Sequence, residues 1–133
     1  MGKFTVLKKR KYFLKAAKDI SMVTHNVVIQ AALNDSVPVS PARIGFTATK
    51  KIGKAHIRNF VKRRMRAVMR EVAEKYTVNG IDYVLIGRYS TIDCSYEELR
   101  KSVIWALRKI NKIFKQRSLE KCSEDEKISA VAD

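Results

Sequence analysis

The apolar positions of this chain change their period several times, and each change marks an element. Ile57, Val61, Met65, Val68, Met69 and Val72 fall on one stripe about 120° wide when residues are placed roughly 100° apart. That spacing predicts a long helix from about His56 to Lys75 with one face turned to a core. A second stripe, Leu99, Val103, Leu107, Ile110 and Phe114, predicts the last helix, and SYEE offers it a capping box from Ser95 to Glu98. Near the start, Phe13, Ala16, Ala17 and Ile20 recur at helical spacing and predict a short first helix.

Between the first two helices the period falls to two. From Met22 to Leu33, one face would carry Val23, Val27, Ile29, Ala31 and Leu33, and the other Thr24, Asn26, Val28, Gln30 and Ala32. This reads as a single strand with a core face and a semi-polar face. NDSVPVSP is turn-forming and leads to a second strand, RIGFTAT, with Ile44, Phe46 and Ala48 inward and Arg43, Gly45, Thr47 and Thr49 outward. KKIGKA reads as a loop, TVNG as a turn, and IDYVLIGR as a third strand with Val84, Leu85 and Ile86 as its buried run. The expected order is α-β-β-α-β-α, an α+β domain with helices on a small sheet. It would occupy residues 1–116; residues 117–133, with three basic and five acidic residues and no period, read as a polar, disordered tail.

Composition narrows the class. The chain has 133 residues, 46% of them hydrophobic and 31% charged, which describes one globular domain. No run of about 18 apolar residues predicts a transmembrane helix, and no apolar h-region follows the basic N-terminus, so a cytoplasmic location is expected. Cys94 and Cys122 lack any CxxC or Cys/His spacing for a metal and are expected to be reduced thiols. His25 and His56 have no nucleophile or acid near them in sequence, and no P-loop, GxSxG, HExxH or paired-carboxylate constellation is present, so no catalytic residue is assigned.

Charge changes the picture most. The formal net charge is +15, from 28 basic and 13 acidic residues, and no Asp or Glu occurs between Asp35 and Glu71. Residues 50–70, KKIGKAHIRNFVKRRMRAVMR, hold nine lysines and arginines. On the long helix Arg58, Asn59, Lys62, Arg63, Arg66 and Arg70 are expected opposite the apolar stripe, as a positive ridge with an i, i+4, i+8, i+12 row. Solvated helix faces usually intersperse Glu; this one does not, and its arginines suit bidentate contact with phosphate. A membrane-surface helix would need its apolar face free and bulky, whereas this stripe is Val, Met and Ile. Nucleic acid is the expected partner.

The run IGFTATKKIGKAHIRNFVKRRMRAVMRE resembles the signature of the bacterial ribonuclease P protein subunit, G-x-x-x-x-K-K-x-G-x-A-x-x-R-N-R-x-x-R/K-R, and the likeness extends to LKKRKYF and over about residues 4 to 116. The resemblance implies an accessory subunit of an endoribonuclease. Such a subunit binds the catalytic RNA of ribonuclease P and the 5′ leader of precursor tRNA and assists magnesium-dependent removal of the leader. The catalytic centre and its Mg2+ would belong to the RNA, with no metal held by the protein alone, no small-molecule substrate and no membrane. Catalytic-RNA contacts carry over to Lys50, Lys51, Lys54, Arg58, Asn59, Lys62, Arg63, Arg66 and Arg70. Leader contacts, in a cleft between the first helix and the sheet, carry over to Lys9, Phe13, Asn26, Val28 and Gln30. The resemblance also implies a left-handed βαβ crossover around the basic helix. Two positions depart from the pattern: Phe60 stands where the family usually has arginine, and Ala17 where many relatives carry a second aromatic. For Phe60, stacking on RNA and packing under a neighbouring loop both stand open. A basic ribosomal or other structural RNA-binding protein is the alternative function.

Overall fold

The structure, a computed structural model, describes residues 4–34 and 40–132, with side chains through Ser118. Its elements are β1 (Thr5–Val6), α1 (Arg10–Lys18), β2 (Ile20–Val23), β3 (Val27–Leu33), β4 (Arg43–Thr47), α2 (Ala55–Tyr76), β5 (Ile81–Gly87), α3 (Tyr89–Asp93) and α4 (Tyr96–Ala132). The sheet order is β1-β4-β5-β3-β2. β4 and β5, joined through α2, are parallel neighbours; β3 runs antiparallel to β5 and to β2.

The α+β architecture agrees with the sequence reading, and three details correct it. The strand expected over Met22–Leu33 is a hairpin, because Thr24 closes a turn: its Oγ1 donates to the Val27 carbonyl at 2.7 Å and accepts from the Val27 N–H at 3.0 Å. The turn resets the alternation, so Val23 pairs with Val28 instead of sharing the face of Val27, and it is 58% exposed. Ile20 lies in β2 rather than on the first helix, and His25 lies in the turn. The short β1 and α3 were not expected, being too brief to show a period. The α4 backbone continues helical past Gln116, in a stretch with neither Gly nor Pro to stop it.

One face of the sheet carries the main core. Ile29, Ala31, Ile44, Tyr83 and Leu85 meet Val61, Met65, Val68, Met69 and Val72 of α2 and Leu99, Val103, Leu107, Ile110 and Phe114 of α4. All five expected α4 stripe positions are buried, and the Glu98 N–H donates to Ser95 Oγ at 3.1 Å, the expected cap bond. Gly87 lets α2 approach β5 closely, since a Cβ there would sit 2.3 Å from Val61 Cγ1. A polar joint fastens the far end: the Tyr83 hydroxyl donates to Asn111 Oδ1 (2.5 Å) and accepts from the Val78 N–H (3.1 Å), while Asn111 Nδ2 donates to the Tyr76 carbonyl (2.7 Å).

The opposite face carries a smaller cluster under α1: Leu7, Ala16, Ala32 and Val84, with Tyr12, Phe13 and Ile86 packed against them. Arg43 joins this face to α1. Its guanidinium holds the buried Asp82 carboxylate through two bonds of 2.7 and 2.6 Å and stacks 4.0 Å from the Tyr12 ring centroid. The hydrogen bond to Asp82 raises the Arg43 pKa, and the contact with Arg43 lowers that of the Tyr12 hydroxyl.

Candidate nucleic-acid interface

The α2 ridge winds around the helix instead of standing opposite the core. Each step from i to i+4 advances about 40°, so Arg58, Lys62, Arg66 and Arg70 spiral outward from the edge of the apolar stripe. Arg58, Lys62 and Arg66 are accordingly half-buried, while Asn59, Arg63 and Arg70 are exposed. This corrects the placement of Arg58 opposite the stripe. Its Nε is buried and, among the described residues, has no hydrogen-bond partner. Arg66 lies over the Phe46 ring at 5.5 Å, which holds its cation at the surface. Lys50 and Lys51, after β4, and Lys54, at the α2 N-cap, are exposed and continue the positive surface.

Phe60 is 44% exposed, with Arg64 5.9 Å from its ring centroid, so no loop covers it fully. Arg64 itself serves the fold. It donates to the carbonyls of Thr91 (2.8 Å), Ile92 (3.2 Å) and Cys94 (2.5 Å), bracing α3 and its exit against α2. From there Ser90 Oγ donates to the His25 carbonyl (2.5 Å), Thr91 Oγ1 to the Asn26 carbonyl, and Arg88 to the Thr24 carbonyl (2.8 Å), pinning the β2–β3 turn.

The second group of candidate residues is only partly brought together. Strand register aligns Ser21, Gln30, Val84 and Gly45 in one row and Val23, Val28, Ile86 and Thr47 in the next, all on the α1 face. The Phe13 ring lies on Gly45, where a Cβ would come within 2.5 Å of its Cζ, so glycine is what allows this approach. The cover by α1 thins beyond that point. Val28, Ile86, Thr47 and Gln30 are half-buried, Val23 is exposed, and together with Phe13 they line a half-covered trough. Lys9, the α1 N-cap, is exposed at the start of the covering helix. Asn26 stands apart: it is 8% exposed and its Nδ2 donates to Ser102 Oγ of α4 at 3.0 Å, away from α1. Ala17 is exposed.

Among the described residues, no group of three or more His, Cys, Asp or Glu side chains could hold a metal ion, and no helix is long and apolar enough to cross a membrane. A compact α+β fold with a basic helix, free of acids until Glu71, beside a half-open sheet face fits a class, the RNA-binding proteins of ribonucleoprotein particles. The family model described as Ribonuclease P matches residues 1–111, and the chain belongs to that family, whose work is tRNA processing. It is 42% identical over 104 residues to the ribonuclease P protein component of Gluconacetobacter diazotrophicus, covering 77% of this chain and 88% of that one. The corresponding figures for the component from Ruegeria pomeroyi are 40% over 108 residues, 80% and 86%. Among solved structures, the RNase P protein of Staphylococcus aureus superimposes with a TM-score of 0.66 at 26% identity, covering 84% of this chain and 99% of that one. The RNase P protein from Thermotoga maritima shares the fold, with a TM-score of 0.63 at 23% identity, covering 75% and 91%.

Proposed function

We propose that the chain acts in the cytoplasm as the accessory subunit of a ribonuclease P holoenzyme. It binds the catalytic RNA through Lys50, Lys51, Lys54 and the α2 ridge, and the 5′ leader of precursor tRNA along the trough beside Phe13. Magnesium ions held by the RNA supply the hydrolytic chemistry. The protein supplies position and positive charge, which lowers the magnesium needed to bring two polyanions together. One observation carries the reading: the α2 ridge sets Arg58, Lys62, Arg63, Arg66 and Arg70 on one helix with no Asp or Glu between Asp35 and Glu71, a mutual repulsion that a polyanion relieves.

The leader assignment is supported by the form of the trough. Phe13 offers a partly exposed ring, Val28 an apolar surface and Gln30 an amide, a set suited to an unpaired strand rather than a duplex. Asn26 is spent on Ser102 and contributes through the fold.

The test is the salt dependence of binding to the catalytic RNA. Replacing Arg58 and Arg66 by Ala removes about two phosphate contacts and should flatten the log–log slope by roughly 1 to 2 units. An unchanged slope with the fold intact would mean that the ridge is merely solvated. In parallel, the protein alone should cleave no precursor tRNA, while stimulating RNA-catalysed leader removal most strongly at low magnesium.

A further inference from the structure

A second stretch of the chain is also free of acids. Between Leu99 and Ser118 there is no Asp or Glu, against seven lysines and arginines. On α4, Lys101, Trp105, Arg108, Lys109, Lys112 and Lys115 fall within an arc of about 120°, opposite the buried stripe, and all six are exposed. From Lys101 to Lys115 the face is about 21 Å long. Among the described residues, the ion pairs on α4 involve Arg100 with Glu71 and Arg117 with Asp19, and none of the five cations of this outer face.

The indole separates this face from a merely solvated one. Trp105, the chain's single Trp, is 48% exposed, with the Lys109 ammonium 5.7 Å from its ring centroid. A lysine-rich helix gains nothing in solubility from an uncovered Trp. A flat ring ringed by cations is what a stacked base flanked by phosphates requires. Beside it a groove lined by Val23, Thr24, Lys101, Ser102 and Trp105 leads to the edge of β2. Val23, at that edge, is also the outermost residue of the row Val23, Val28, Ile86 and Thr47.

We infer that the outer face of α4 is a further RNA-binding surface, which takes an unpaired strand by stacking a base on Trp105 and holding its phosphates with Lys101, Arg108, Lys109 and Lys112. It is distinct from the α2 ridge and stands whichever RNA occupies that ridge. Duplex RNA, with its bases stacked inside, would leave the indole unused.

Trp105 is its own reporter. An oligouridylate of about 12 nucleotides, within the usual footprint of a single-strand site, should quench the emission of the full-length chain saturably. Lys101→Ala with Lys109→Ala should move the quenching midpoint to at least about 5-fold higher oligomer. Arg58→Ala with Arg66→Ala, and separately Phe13→Ala, should leave it within about 2-fold. In a binding assay with labelled oligomer, Trp105→Ala should weaken this site by roughly 5- to 150-fold. Unchanged emission while the labelled oligomer binds would overturn the inference, as would a midpoint that follows Phe13→Ala as closely as the lysine pair. Equal quenching by an RNA duplex would reduce the face to a general polyanion surface, and equal quenching by polyglutamate would reassign it to an acidic protein; either result overturns it.

Discussion

On one face of the sheet α2 and α4 lie side by side and bury most of the strand residues; on the other the nine-residue α1 covers part of the sheet and stops. Both faces use the same strands and the same alternation, so the difference lies in the length and shape of the cover. The closed face is filled by Leu, Ile, Val and Met at full burial, which is where folding free energy comes from. The half-open face gives up part of that stabilisation and keeps Val28, Ile86, Thr47 and Phe13 within reach of a ligand. On the proposed reading, leader binding is thus set apart from the main core across the thickness of one sheet, while the catalytic RNA meets the outer side of the helices that close that core.

The largest effect that would test this separation is expected on the closed face. Leu107→Ala should lower the unfolding free energy by about 2–5 kcal/mol in a denaturant titration, while below its melting range the variant still distinguishes tRNA with a leader from tRNA without one. A loss of that distinction in a folded variant would show the two faces to be coupled. Next in size, Phe13→Ala should cost roughly 1–3 kcal/mol of affinity for leader-bearing tRNA and less stability than Leu107→Ala, because the ring is only half-buried. Equal loss of affinity for tRNA with and without the leader would remove Phe13 from the trough. The smallest effect sharpens the boundary: Asn26→Ala should cost on the order of 1 kcal/mol of stability, through the lost bond to Ser102, and leave leader affinity unchanged. A selective fall in leader affinity would return Asn26 to the binding surface.

The long helices were readable from sequence because a period of 3.6 repeated over about 20 residues averages out exceptions. Ile57 to Val72 and Leu99 to Phe114 therefore meet the core as expected. The hairpin was not readable: its turn has neither Gly nor Pro, and Thr24 makes it by a local side-chain bond that leaves no trace in hydrophobicity. The basic face was legible as chemistry but not as geometry. Arg58 and Arg64 sit in the same charge run as Arg63 and Arg70, yet the first is drawn to the core edge and the second braces α3. Angular position on the helix was the available signal, since both arginines fall beside the apolar stripe and not across from it. The Arg43–Asp82 pair escaped because its partners come from different strands, and only the register brings them together.

The joint at Tyr83 bears on how an RNA meets this protein. Burial pushes the Tyr83 hydroxyl far above its ordinary pKa, so it stays protonated at any pH the chain would meet and keeps donating to Asn111 while Asn111 holds the last turn of α2. The two long helices are thus held like the arms of a caliper, tied at one end by this joint and set apart by the core beneath them. On the proposed reading, an RNA that spans both helices meets a preset gauge, and the protein would serve it as a template rather than a hinge.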